Sequence, residues 1–190
     1  MILCPDRVSL PGLLILTMVL ATACSASLPD DRDGTFPPGS KTRYVNLARC
    51  TPAMPCPGPN CADNILGVED NKTLDMAACP TLDLTWTGGT VLNLQSLPDI
   101  SLHVARVAGI TRVEASQDGV SYTIVGFLGG SPAGTPATCM AGTRPNEALI
   151  YLGKCNTITN VHHLRITRDI TIDGSVVLDA VEALNYKAGF

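Results

Sequence analysis

Polar and apolar residues alternate along much of this chain in short runs, the two-residue period of strands. "ISLHVARV", Ile100 to Val107, sets Ile100, Leu102 and Val104 against Ser101, His103 and Ala105. That is a strand with one face on a core. "VEASQDGVSYTIVG", Val113 to Gly126, has two such runs around Asp118-Gly119. An Asp-Gly pair between strand-like runs favours a type I′ hairpin, because that turn needs positive φ at both central residues. Pairing across it sets Ala115 against Tyr122 and Val113 against Ile124 on an apolar face. Ser116 then faces Ser121, and Glu114 faces Thr123, on a polar one. "TLDLTWTGGTVLNL", Thr81 to Leu94, reads as a second hairpin around Gly88-Gly89. Short strands are also expected at Tyr44–Leu47, Leu149–Leu152, Val161–Thr167 and Val176–Leu184, with a long loop from Gly129 to Gly142. No long segment carries the 3.6-residue apolar period of a helix. The pattern predicts an all-β antiparallel sandwich.

The N-terminal part breaks the alternation. Val8 to Leu20, "VSLPGLLILTMVL", is largely apolar, interrupted at Pro11-Gly12, and shorter than the ~20 residues that span a bilayer. Residues 1–23 therefore read as a secretory signal peptide. "LATAC", Leu20 to Cys24, resembles a bacterial lipoprotein signal in which Cys24 becomes the lipidated first residue, with Ala21 where Leu is usual. Ordinary cleavage after Ala23 is the alternative. Ser25 after Cys24 resembles the pattern for outer-membrane sorting. Residues 24–41, rich in Ser, Pro, Gly and Asp, form a flexible tether. The domain is then 42–190, exported to the outer membrane or cell surface and held to the membrane by a lipid, or otherwise secreted.

Charge and cysteines narrow this. The formal net charge is −4 and no basic patch occurs, so nucleic acid is not an expected partner. With Cys4 in the signal and Cys24 at the lipid site, six cysteines remain: Cys50, Cys56, Cys61, Cys79, Cys139 and Cys155. An even set in an exported chain reads as disulfides. Cys139 with Cys155 is favoured. Cys50, Cys56 and Cys61 would share bonds among themselves and with Cys79. No C-x-x-C pair is present, which argues against a zinc site. Neither G-x-S-x-G nor a phosphate loop occurs. His162 and His163, adjacent on a strand, should point to opposite faces, and His103 stands alone. The chain therefore reads as non-catalytic.

"GGTVLNL", "PDISLHVARV", "VEASQDGVSYTIVG", "VHHLRITRD" and "VVLDAVEAL" follow one another in that order. Together, over Ile65 to Leu184, they resemble the galactose-binding-like, or discoidin-like, jelly roll of bacterial surface proteins. Tyr122 stands where that family usually has Trp after its D-G turn. His163-Leu164-Arg165-Ile166 stands for its Y-V-R-I strand. "LGVEDNK", Leu66 to Lys72, resembles its early loop L-G-x-P-D-G, with Glu69 for Pro and Asn71 for Gly. The resemblance implies a jelly-roll sandwich and a binding module for carbohydrate or extracellular matrix. The alternative is a structural or protein-binding component of an envelope complex. Sugar-binding members use exposed aromatic rings. Here Trp86 and Tyr122 read as core residues, leaving Tyr151 and Phe127 as other platforms. The resemblance also implies a structural calcium between the early loop and the last strand, with Glu69, Asp70 and Glu182 as ligand candidates. Asp179 joins them. If it faces inward with Val177 and Val181, its carboxylate needs a cation, backbone N–H groups or an arginine such as Arg165.

Overall fold

The structure, a computed structural model, describes residues 43–53, 58, 61–94, 97–132, 139–144, 146–154 and 158–189. The expected signal peptide, the tether, Cys24, Cys56 and Cys155 lie outside the described residues.

The chain begins with β1 (Leu47–Thr51), a 3-10 turn at Ala62–Ile65, β2 (Leu74–Asp75), β3 (Thr81–Thr85) and β4 (Gly89–Leu92). Then come β5 (Ile100–Val107), β6 (Thr111–Ser116), β7 (Thr123–Leu128), β8 (Met140–Arg144) and β9 (Glu147–Ile150). A second 3-10 turn at Leu152–Lys154 precedes β10 (Asn160–Val161), β11 (His163–Arg168), β12 (Val176–Ala183) and β13 (Tyr186–Ala188). The class is all-β. One five-stranded sheet has the order β1-β3-β11-β6-β7 and a second β2-β12-β5-β9-β8, with a three-stranded sheet β10-β4-β13 beside them. Every pairing is antiparallel. Leu82, Leu84, Val113, Ala115, Leu164 and Ile166 of the first sheet join Ile100, Leu102, Val104, Leu178 and Val181 of the second in one buried cluster. That is a sandwich-like core, and each large aliphatic in it contributes about 1.5–3 kcal/mol. No helix among the described residues is long and apolar enough to cross a membrane.

β5 forms where its alternation placed it, with Ile100, Leu102 and Val104 inward. The opening hairpin forms between β6 and β7, but in another register. Its turn is not type I′: of the two central residues only Gly119 has positive φ, at 73°. The Asp118 carboxylate instead accepts the N–H groups of Val120 and Ser121, both at 2.8 Å, and the Ser116 hydroxyl at 2.9 Å. This side-chain-built loop is longer than two residues, so Ala115 pairs with Thr123 and Glu114 with Ile124. A bulge then sets Val113 opposite Gly126. Ile124, expected on the core face, is 44% exposed.

The second expected hairpin does not form. β3 lies in a five-stranded sheet, while β4 leaves it to pair with β10 and β13. The crossing is held by Asn46, whose side-chain oxygen accepts the Thr87 N–H at 2.9 Å. A Cβ on Gly89 would overlap Tyr186, so β13 packs where only glycine fits. The expected strand Val161–Thr167 is likewise split, its first part pairing with β4 and its second with β3 and β6. Tyr44 makes only an isolated bridge to Glu182, and β1 starts at Leu47. Leu152 belongs to the 3-10 turn rather than to β9. The strands β2, β8 and β13 were not legible in the alternation, and β8 begins at Met140, inside the expected Gly129–Gly142 loop.

Cys50 and Cys79 form a disulfide that ties β1 to the segment before β3. This agrees with bonding between the first cysteine cluster and Cys79. Cys61 and Cys139 are also disulfide-bonded. Trp86 is a core residue as expected, and its indole N–H donates to the Arg43 carbonyl at 2.9 Å.

Candidate functional site

The outward positions of β1, β3, β11 and β6 set charges in a row across the first five-stranded sheet. Arg49 lies opposite Asp83, Asp83 opposite Arg165, and Arg165 opposite Glu114. The Arg165 Nε donates to Asp83 at 2.7 Å, and its guanidinium carbon sits 4.0 Å from the centre of the Tyr122 ring. Tyr122 is therefore half-buried under an arginine, not a core residue. Burial, with the Asp83 charge, pushes its hydroxyl pKa up against the pull of Arg165.

One row further along, Thr167 lies opposite Arg112, and Arg112 opposite Phe127. Here the sheet carries a groove of about 280 Å³. Ile110, Ile124, Phe127 and Pro132 form its apolar side. Arg112, Thr167, Arg168 and Asp169 form its polar side. The Thr167 hydroxyl is buried and has no hydrogen-bond partner. Arg112 reaches Glu114 through Nε at 3.2 Å. Arg168 Nε donates to the Gly174 carbonyl at 3.0 Å, which fixes the direction of its guanidinium. Asp169 accepts the Thr171 N–H at 2.9 Å and its hydroxyl at 2.6 Å. Those bonds hold its pKa below the usual carboxylate value.

Phe127 was one of the two platforms the sequence left open. Arg112, Thr167, Arg168 and Asp169 were missed. Arg112 and Thr167 were readable as outward strand positions, whereas Arg168 alternates with Thr167 at the end of β11 and Asp169 lies beyond it; they meet only because β11 inserts between β3 and β6. The other platform, Tyr151, has the Lys154 ammonium 4.1 Å from its ring centre, with no groove beside it among those described. A smaller cleft of about 170 Å³ lies at the β6–β7 loop, lined by Ser116, Gln117, Asp118 and Ser121 among others. Its polar groups largely satisfy one another. The N–H groups of Ser121 and Val120 hold the Asp118 pKa down at about 2.

The four calcium candidates come together on the other five-stranded sheet, around His103. The imidazole contacts Glu69 through Nδ1 and lies 3.5 Å from Glu182 through Nε2. Burial opposes its charge, but the Glu182 hydrogen bond and the charges of Glu69, Glu182 and Glu147 outweigh it and raise its pKa. Arg43 bonds Glu182 at 2.9 Å, and Lys72 bonds Asp70 at 2.6 Å. Asp179 sits at a bulge of β12, between Leu178 and Ala180, so it does not share a face with Val181, which is core. Its expected partner Arg165 is on the other sheet. Burial raises its pKa, against an N–H bond from Asp70. Its Oδ1 is buried without a hydrogen-bond partner. That lone oxygen is the feature a cation would suit. Asp70 and Glu182 are already paired with Lys72 and Arg43, Glu69 contacts the His103 imidazole, and among the described residues no three His, Cys, Asp or Glu groups converge on one ion. The arrangement does not fit calcium.

His162 lies between β10 and β11, where the chain passes from one sheet to another, so the two histidines do not share one strand. Their ring centres are 6.3 Å apart. His162 Nδ1 donates to the Gly89 carbonyl at 2.9 Å, and His163 Nδ1 is 3.0 Å from the Thr85 hydroxyl. Both rings are engaged in holding strands together. Comparison with known proteins finds no matching protein family, no matching curated protein and no matching solved structure.

Proposed function

We propose that this chain is a non-catalytic binding module of a bacterial cell surface, with a galactose-binding-like jelly-roll sandwich, and that it takes a carbohydrate in the groove beside Phe127. A sugar ring has an apolar C–H face and a rim of hydroxyls. It needs an aromatic or aliphatic wall with a few fixed polar groups beside it. The observation that carries the reading is the buried Thr167 hydroxyl, unpartnered in a groove walled by Phe127. A buried polar group without a partner costs about 1–3 kcal/mol, and a ligand hydroxyl would remove that cost. Attachment through a lipidated Cys24 belongs to the same proposal; Cys24→Ser should then move the protein from the membrane fraction to the soluble one.

The test is a glycan array probed with the protein exported from its full-length chain, alongside Phe127→Ala. Saturable binding to one sugar class, lost in the variant at unchanged melting temperature, is expected. A blank from well-folded protein would remove the carbohydrate reading. A second reading, docking to an envelope protein, has its own observation. Leu94, Leu97 and Leu184 are exposed at 44%, 55% and 39%. Two of them spring from one carboxylate residue, since Leu94 donates its N–H to the Asp99 side chain and Leu184 to the Asp99 carbonyl. Loss of a captured partner on Leu97→Glu would favour it.

A further inference from the structure

We infer that Asn71 is an N-glycosylation site, the acceptor of an oligosaccharide carried on a lipid pyrophosphate; this rests on the export proposed above. Asn71-Lys72-Thr73 is an N-x-T triplet. Of the nine asparagines in the chain, only Asn71 has Ser or Thr two places on. Such a triplet is short enough to arise by chance, so the place the fold gives it carries the inference. Asn71 lies in the bend between the first 3-10 turn and β2, outside any strand, and both it and Lys72 are exposed. Its φ is 63°, a left-handed conformation that asparagine adopts more readily than most residues.

The neighbours of Asn71 build the tip. Asp70 accepts the Lys72 N–H through Oδ1 at 2.9 Å and meets the Lys72 ammonium through Oδ2 at 2.6 Å. Behind the tip, the Asn64 side-chain amide donates to the Thr73 carbonyl at 3.1 Å, and Leu74 is fully buried at the start of β2. The turn is therefore fixed by bonds that leave two groups out. Among the described residues, neither the Asn71 amide nor the Thr73 hydroxyl has a partner. An amide nitrogen is a weak nucleophile, because its lone pair is shared with the carbonyl. A side chain already bonded into the fold would be weaker still. In the transfer, Asn71 Nδ2 bonds to the anomeric carbon of the first sugar, and the bond from that carbon to the pyrophosphate oxygen breaks. The lipid pyrophosphate leaves with the electron pair, and a base of the transferase takes one amide proton. The free Thr73 hydroxyl is the group by which the enzyme reads the triplet. Glu69, two places before and 54% exposed, adds a negative charge for a basic side chain of the enzyme. Glu69 contacts His103 of β5, so the site belongs to the second five-stranded sheet, whereas the groove opens on the first. A glycan at Asn71 leaves the groove open.

The experiment is mass spectrometry of the protein exported from its full-length chain in a host with an oligosaccharyltransferase and its lipid-linked donor. The same host without the transferase is the control. One oligosaccharide should be added to the peptide carrying Asn71, and only where the transferase is present. Asn71→Gln and Thr73→Ala should abolish the addition and Thr73→Ser should keep it, all at unchanged melting temperature. Mature protein from the competent host with Asn71 unmodified would overturn the site and leave the export reading standing. A precursor that keeps residues 1–23 and stays inside the cell would overturn the two together.

Discussion

Replacing Asp99 should damage this domain more than any change to its exposed charges. Its side chain is fully buried between three parts of the fold. One oxygen accepts the Leu94 N–H at 2.9 Å and the Asn185 side-chain amide at 2.8 Å. The other accepts the Leu152 N–H at 2.8 Å. It therefore ties the loop before β5, the turn after β9 and the end of β12. A hydrogen bond to a charged group contributes about 1.5–3 kcal/mol net. Three such bonds do not add fully, because alanine also relieves the cost of burying a carboxylate. Asp99→Ala should therefore cost about 4 kcal/mol, a large share of the ~5–15 kcal/mol of a typical domain. Asp99→Asn keeps one carbonyl oxygen for Leu94 and Asn185 but turns an amide N–H towards that of Leu152. It should cost about 2–3 kcal/mol. Urea unfolding followed by fluorescence measures both, since Trp86 is the single tryptophan and is buried. At about 2–4 °C per kcal/mol, the alanine variant should melt roughly 8–16 °C lower. If both variants stay within about 1 kcal/mol of the parent, the hub argument is refuted.

Other expectations follow from the same geometry. Cys50 and Cys79 are 29 residues apart, so a Cys50→Ala, Cys79→Ala pair should lose about 3–4 kcal/mol by calorimetry; an unchanged melting point would show that the bond does not restrain the chain. The Asp118 carboxyl is depressed from 3.8 to about 2, so its contribution to the β6–β7 loop is complete above the unfolded value and lost as pH falls through about 2. NMR titration of that carboxyl checks the shift, and Asp118→Asn should flatten the acid response of the loop over that window; a midpoint near the free value counts against it. Because Lys72 and Arg43 already pair with Asp70 and Glu182 and His103 contacts Glu69, a chelator should leave the melting temperature unchanged. A fall of several degrees, reversed by calcium, would mean that the cluster rearranges to hold the ion.

Local chemistry carried the class of fold in the sequence. Alternation marked β5 and the inner face of β6, because a strand's side chains point to opposite sides whatever it pairs with. The even set of cysteines pointed to disulfides, and Cys50 with Cys79 is one. Tertiary structure decided what depends on partners distant in sequence. The Gly88-Gly89 turn looked like a hairpin, yet Asn46 and β13 draw β4 into another sheet. Asp118-Gly119 looked like a two-residue turn, yet the Asp118 side chain bonds the loop backbone and moves the register. Asp99 gave no signal, since one carboxylate in sequence does not show that Leu152 and Asn185, donors from far along the chain, join Leu94 around it. The groove was half legible. Phe127 stood out as an aromatic, but the arginines and the threonine beside it become neighbours only when β11 enters between β3 and β6. Periodicity records which way a side chain faces, whereas strand order, which sets its neighbours, is fixed by the packing of the whole sandwich.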